Sequence, residues 1–163
     1  IPNFIKVGTD LRTKTVEYMK IVADRIDKAA AGSAMCLDGE VEQETQMGYL
    51  PFVQDRYIGE FVVEAFEDQS EIKTLWNNKF ISAAGDIGDL SFMVPCIQIG
   101  YSGFSGTIHG DDFKDEDPEM IYEIFPRFVA QVLSYMSGKI DKSKLYKKTF
   151  AEYEECINSI VGK

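Results

Sequence analysis

The residues of this chain that could carry chemistry concentrate between positions 85 and 113, GDIGDLSFMVPCIQIGYSGFSGTIHGDDF. His109 is the only histidine among 163 residues, and it lies between a Gly/Ser-rich stretch and several acids. An imidazole can ligate a metal or transfer protons near neutral pH, and carboxylates nearby can orient it. Asp86 and Asp89 add two carboxylates at the start of the stretch. The pattern predicts strand-flanking loops with His109 either as a metal ligand or as a solvated side chain.

Other chemistries find less support in the same stretch. Ser102 with His109 and an aspartate would make a hydrolytic triad, but GYSGFSG does not fit the G-x-S-x-G nucleophile pattern. Glycine patterns that cradle nucleotide phosphates are absent from the sequence. The acids that follow His109 lack the spacing of a calcium loop, and Asp117 before Pro118 suits a helix cap better.

Composition and charge narrow the classes of partner. With 27 acids against 17 bases and a net charge of −10, the chain lacks the basic surface of a nucleic-acid-binding protein. No apolar run reaches the roughly 18–20 residues that span a bilayer, so we expect no membrane association. Three widely spaced cysteines predict reduced thiols and a cytoplasmic location. Because the chain begins with Ile1 and not methionine, we expect a processed or excised piece of a longer protein.

Hydropathy periods predict a mixed α/β or α+β protein. Alternation of apolar and polar residues predicts strands, and apolar residues every three or four positions predict helices. The predicted strands cover 4–11, 40–49 and 92–99, the last interrupted at Pro95. The predicted helices run from Thr13 or Thr15 to Gly32 or Gly39, over 54–68, from Pro118 to Gly138 with a kink or delayed start at Pro126, and over 143–160.

Three motifs of the opening stretch resemble the C-terminal loop–strand–loop of a metal-dependent amidohydrolase and peptidase family. That family includes aminobenzoyl-glutamate hydrolases, aminoacylase-like proteins and carboxypeptidase-type zinc exopeptidases. The motifs are DIGDLS at 86–91, Val-Pro at 94–95 and GTIH at 106–109. Gly85 stands where the aminobenzoyl-glutamate hydrolase branch has a threonine, which leaves the role of that hydroxyl open.

The resemblance extends over the whole chain and implies two domains. Residues 1–50 are similar to the second half of a βαββαβ lid, or dimerisation, domain. Residues 51–163 are similar to the C-terminal part of a zinc-exopeptidase-like α/β/α catalytic domain. Leu50-Pro51 is the predicted boundary, since proline breaks the alternation there.

The resemblance also implies roles for individual residues. His109 takes the place of the late histidine that ligates one of two active-site metals, zinc or manganese. Arg12 takes the place of a lid arginine that contacts a substrate carboxylate, and Asp86 and Asp89 shape the loop beside the site. The remaining ligands and the general base of the family belong to an N-terminal half that this chain does not contain.

These implications define two competing functions. The first is the C-terminal portion of an enzyme that hydrolyses an amide bond of an N-acyl amino acid, an aminobenzoyl-glutamate-like compound or a dipeptide, inactive by itself. The second is a non-catalytic oligomerisation or regulatory module derived from the same fold. In both cases uncovered strand edges predict pairing with another copy or with the N-terminal half. A serine hydrolase that uses Ser102 is the third possibility.

Overall fold

The computed structural model describes residues 3–75 and 85–161, and in these ranges helices dominate. The elements in chain order are α1 (Val16–Cys36), α2 (Arg56–Glu67), α3 (Ile87–Met93), β1 (Phe104–Ser105), β2 (Lys114–Asp115), a π-helical turn (Met120–Ile124), α4 (Phe125–Met136), a 3-10 turn (Lys142–Lys144) and α5 (Phe150–Val161). Within the described ranges the strands β1 and β2 form one two-stranded antiparallel sheet. The predicted mixture of helix and sheet is confirmed at this coarse level, with much less sheet than the sequence suggested.

The chain divides into two compact units. The first unit contains the described residues 3–52, 85–93 and 148–161, and the second contains 53–75 and 94–147. The predicted domains 1–50 and 51–163 stay a prediction. None of the described helices is long and apolar enough to cross a membrane.

In the first unit, α1 begins where the sequence indicated. The Thr15 side chain accepts a hydrogen bond from the Tyr18 N–H at 3.2 Å, which satisfies one of the free donors of the first turn. After Cys36 the chain turns through Asp38, whose φ of 53° lies in the left-handed region. The N–H of Gly39 then donates to the carbonyl of Ala34 at 2.9 Å and closes the helix end.

The core of the first unit joins distant parts of the chain. Met19 of α1, Leu50 and Ile160 of α5 are buried together. Partly buried apolar residues pack around them, namely Leu11, Val16, Met47, Phe92, Tyr153, Cys156 and Ile157. Burial of these side chains, at about 1.5–3 kcal/mol for each large one, holds this unit together.

The predicted strands over 4–11 and 40–49 are wrong, because neither range is a strand in the structure. Alternation decides which face of a strand can be buried, but a strand also needs a neighbour that pairs with its backbone groups. Among the described residues neither segment has such a neighbour. The side chains of Phe4 and Val7 are accordingly 79% and 84% exposed.

The predicted strand over 92–99 is also wrong, since α3 occupies Ile87–Met93 and residues 94–99 are not a strand. The Leu90 N–H donates to the carbonyl of Asp86 at 3.2 Å, so the loop predicted before this strand is instead the first turn of a helix. Helix formation stops before Pro95, because proline disfavours helical backbone in the residue that precedes it. Residues 94–99 follow without a strand partner in the described chain.

In the second unit, α2 packs against α4. Val62 and Ala65 of α2 meet Phe128 and Val132 of α4 in a buried cluster. The Asp55 carboxylate caps α2 by accepting from the Ile58 N–H at 2.8 Å. Both helices lie where the apolar period predicted them, within one or two residues for α2.

The segment before α4 confirms two predictions from single residues. Asp117 Oδ1 accepts a hydrogen bond from the Met120 N–H at 3.0 Å, as a cap before Pro118 should. A π-helical turn over Met120–Ile124 then leads into Pro126 near the start of α4. Proline has no N–H to donate to the preceding turn, and its ring needs space there. The wider π-helical turn accommodates the ring of Pro126.

The last helix starts later than predicted. Residues 143–149 carry only part of a 3-10 turn, and α5 begins at Phe150. Thr149 and Glu152 form a reciprocal capping pair, in which Glu152 Oε2 accepts from the Thr149 N–H at 2.7 Å and the Thr149 hydroxyl accepts from the Glu152 N–H at 3.3 Å. This pair fixes the start of the helix.

Candidate functional site

A short hairpin presents His109. Phe104 pairs with Asp115 and Ser105 with Lys114, and the loop 106–113 connects the two strands. Gly106 has a φ of +87°, and a Cβ there would lie 2.2 Å from the carbonyl oxygen of Asp112. Only glycine fits such a close approach, so the chain can reverse tightly at this point.

His109 occupies a turn inside that loop. The Gly110 N–H donates to the Thr107 carbonyl at 2.8 Å, which closes a turn with His109 at its third position. His109 has a φ of 67°, a left-handed conformation that is uncommon for a residue with a Cβ. Its side chain is exposed. The turn therefore projects an accessible imidazole from a defined backbone conformation.

The acids around His109 serve the backbone of the loop and of the following helix. The Asp112 carboxylate accepts two hydrogen bonds from Thr107, one from its N–H at 3.1 Å and one from its hydroxyl at 3.3 Å. Asp117 caps the segment before α4, and Asp115 belongs to β2. Within the described ranges the imidazole of His109 has no hydrogen bond to any of these carboxylates.

A row of aromatic rings lies at the base of the hairpin, and the sequence reading did not single it out. Tyr101 stacks on Phe125 with ring centroids 3.8 Å apart, and Phe104 stacks on Phe113 at 5.2 Å. Tyr101 and Phe104 also contact each other at 5.5 Å. The spacing Tyr101-x-x-Phe104 and the aromatic Phe113 directly before β2 were the available signals. These contacts stiffen the hairpin that carries His109.

Asp89 and its neighbours lie in the first unit, where they join α3 to the loop at residue 50. Asp89 Oδ1 accepts a hydrogen bond from the Leu50 N–H at 3.0 Å. A Cβ on Gly88 would lie 2.0 Å from the Leu50 carbonyl oxygen, so the two backbones are in direct contact. The buried Ser91 hydroxyl donates to the Gly88 carbonyl at 2.7 Å. Burial, together with the negative charge of Asp89, raises the pKa of Tyr153.

Asp86 and Arg12 belong to the same unit and both are exposed. The Asp86 carbonyl accepts the first hydrogen bond of α3. The Arg12 guanidinium lies 3.8 Å from the Asp10 carboxylate. An ion pair of that length between exposed groups contributes little to stability. The predicted roles of both residues stay predictions.

The residues named from the sequence thus fall into the two units. Arg12, Asp86 and Asp89 lie in the first unit, and His109 lies in the second. Ser102 lies exposed before β1 in the second unit. Three residues further on, the enclosed hydroxyl oxygen of Ser105 has no hydrogen-bond partner among residues 3–75 and 85–161.

A zinc or manganese site needs several nitrogen, sulfur or oxygen ligands that converge on one point. Among residues 3–75 and 85–161 no group of three or more His, Cys, Asp or Glu side chains is arranged to hold a metal ion. Burial raises the pKa of the Cys96 and Cys156 thiols, which disfavours the thiolate form that binds zinc. The exposed imidazole of His109 is of a type that zinc and manganese bind, and it is a single potential ligand in its loop.

No protein-family model matches the chain, and searches of curated proteins and of solved structures return no significant match.

Proposed function

We propose that this chain is the C-terminal part of a metal-dependent amidohydrolase and that His109 is its one metal ligand. The proposal rests on the resemblance of residues 86–91, 94–95 and 106–109 to that family. The structural observation that carries it is the exposed imidazole of His109 on a hydrogen-bonded hairpin loop. An accessible nitrogen on a rigid support is what a metal site requires from each of its ligands.

The backbone of His109 supports the same proposal. A residue with a Cβ in the left-handed region is strained by about 1–2 kcal/mol, and glycine would relieve that strain. Glycine already occupies positions 106 and 110 of the same loop. A histidine kept between them at φ 67° points to a use for the side chain that offsets the strain.

The parts of the mechanism that this chain would supply are limited and specific. His109 would hold a divalent zinc or manganese ion through one imidazole nitrogen, and Arg12 would bind a carboxylate of the substrate. When bound, the metal supplies polarisation of the amide carbonyl and activation of water. The general base and the other ligands would come from an N-terminal half, so the 163-residue chain alone would be inactive.

A direct test uses the complete reading frame. Upstream H-x-D and Glu-Glu motifs, and chelator-sensitive hydrolysis of N-acyl amino acids, aminobenzoyl-glutamate or dipeptides by its product, would support the enzyme. Chelator-sensitive hydrolysis by the isolated 163-residue chain would contradict the claim that this part is inactive alone. Labelling of Ser102 by a fluorophosphonate would favour the serine hydrolase instead.

A second candidate function, an oligomerisation or regulatory module, is favoured by exposed apolar side chains in the first unit. Val7, Met35 and Leu37 are 84%, 80% and 86% exposed. Large apolar side chains that are open to water commonly mark an interaction surface. The partner would be a second copy or the N-terminal half. Absence of the upstream motifs, together with a dimer in sedimentation, would favour this module, and a compact monomer would count against it.

A further inference from the structure

The loop that carries His109 is held from inside by one carboxylate. Asp112 Oδ1 accepts the Thr107 N–H at 3.1 Å, and Asp112 Oδ2 accepts the Thr107 hydroxyl at 3.3 Å. Thr107 is also the first residue of the turn, because its carbonyl accepts the Gly110 N–H at 2.8 Å. The two ends of the turn that contains His109 are therefore fastened through the same threonine.

The two glycines of the loop leave room for Asp112. A Cβ on Gly110 would lie 2.5 Å from Asp112 Oδ1, so the carboxylate fills the space that a side chain at 110 would need. A Cβ on Gly106 would lie 2.2 Å from the Asp112 carbonyl oxygen. Asp112 is exposed to solvent, and its carboxylate and carbonyl oxygen occupy the space beside the two glycines of the GTIHG segment.

His109 depends on this arrangement because its own conformation is unfavourable. An isolated turn would allow His109 to relax to negative φ, which costs a residue with a Cβ less. The two hydrogen bonds from Thr107 and the bond from Gly110 restrict the positions on either side of it. The direction of the Cα–Cβ bond, and with it the reach of the imidazole, follows from that backbone.

We propose that Asp112, acting through Thr107, is a positioning residue that holds His109 in its left-handed conformation and thereby directs the imidazole. The structural half of this inference concerns the loop alone. Its functional half, that the directed imidazole binds a metal more tightly, rests on the proposed function. The hydrogen bonds of the Asp112 carboxylate in the described residues come from Thr107 and not from the imidazole.

The first experiment measures the loop in the 163-residue chain by NMR, where the only histidine gives unambiguous signals. The three-bond coupling and the short-range NOEs of His109 report its φ. We expect Asp112→Ala and Thr107→Val to move these values toward negative φ. Thr107→Ser, which keeps the hydroxyl, and Asp111→Asn, which removes an adjacent exposed charge, should leave them unchanged. An unchanged φ in Asp112→Ala would overturn the inference.

The second experiment measures zinc affinity in the product of the complete reading frame. Groups that orient a metal ligand typically change affinity by about 10–100-fold when removed. We expect Asp112→Ala to weaken zinc binding at least about tenfold, Thr107→Ser to restore most of the loss caused by Thr107→Val, and Asp111→Asn to change little. Weaker zinc binding by Asp112→Ala with an unchanged His109 φ would make Asp112 a ligand and would overturn the positioning role.

The two experiments separate the inference from the function on which it rests. If His109→Ala leaves zinc affinity unchanged, the proposed function fails, whatever Asp112 does to the loop. If His109→Ala abolishes zinc binding while Asp112→Ala changes neither φ nor affinity, the function stands and the positioning role fails. If Asp112→Ala does not fold, Asp112→Asn takes its place, since asparagine keeps an oxygen that can accept from the Thr107 N–H.

Discussion

Replacing His109 by glycine should stabilise the protein while removing its proposed metal ligand. At φ 67° a residue with a Cβ is strained by about 1–2 kcal/mol, and glycine is not. Glycine also increases the conformational freedom of the unfolded chain, which lowers the free energy of unfolding by about 0.5–1 kcal/mol. The side chain of His109 is exposed, so its removal exposes little buried surface. We therefore expect His109→Gly to raise the free energy of unfolding by about 0.5–1 kcal/mol.

The assay is urea unfolding of the 163-residue chain, followed by the amide signals of α4, which belongs to the same unit as the loop. His109→Ala is the matched variant, because alanine removes the imidazole and keeps the strain. The free energy of unfolding should be about 1 kcal/mol higher for His109→Gly than for His109→Ala, and its slope against urea concentration should be the same. Asp38→Gly relieves a similar conformation at φ 53° beyond α1 and should stabilise without affecting metal binding.

Equal stability of the glycine and alanine variants would refute the reasoning, because it would mean that His109 is not held at positive φ. Strain would then not mark the side chain of His109 as useful, and Asp112 would have no left-handed conformation to hold. Stabilisation by glycine with full retention of zinc binding would leave the strain intact and contradict the role of the imidazole.

Three further predictions test other parts of the structure. Gly88→Ala should destabilise the chain by about 3 kcal/mol in urea unfolding, because its Cβ would lie 2.0 Å from a backbone carbonyl oxygen. Gly59→Ala is the control in α2; it has open space around it and should stabilise the chain slightly. Hydrogen bonds from the Thr149 N–H and hydroxyl lower the pKa of Glu152, so its stabilisation is complete above pH 4.5 and is lost as pH falls below that value; Glu152→Gln should flatten this acid limb of the unfolding curve. A hydrogen bond from its hydroxyl to the Asp68 carboxylate raises the pKa of Tyr135. Tyr135→Phe should therefore remove a phenol that ionises later than the others in an ultraviolet titration. Loss of a phenol with an ordinary pKa would count against this hydrogen bond.

The helices were predictable because their signals are local. Thr15 and Asp117 cap the segments that the sequence assigned to them, and Pro126 lies where the helix changes its winding. The start of α5 was missed although its signal was present. Thr149 and Glu152 are spaced as a capping box, and they set the helix start at a position that apolar periodicity alone placed seven residues too early.

The strands were not predictable from the same kind of signal. Alternation over 4–11 and 40–49 describes a face that pairing could bury, and pairing depends on a second segment that local sequence does not specify. In the described chain such pairing occurs only at the short hairpin of Phe104–Ser105 with Lys114–Asp115. Pro95 was read as an interruption of a strand, whereas the structure has it after a helix.

The site was predictable in its residues but not in its construction. The single histidine, the glycines and the acids were evident, yet the sequence suggested that nearby carboxylates orient the imidazole directly. In the structure Asp112 bonds to Thr107, across five residues, and Asp117 caps a helix. Which acid serves which purpose depends on loop closure in three dimensions, and composition does not report that.

The most direct test of the central claim is the zinc content of the complete protein with and without the imidazole. Zinc bound per chain and chelator-sensitive amide hydrolysis are measured for the unchanged protein and for His109→Ala, with Asp111→Asn as a surface control. The account predicts that His109→Ala folds, binds less zinc and loses hydrolysis, while Asp111→Asn retains both. Full zinc content and full hydrolysis in His109→Ala would contradict it.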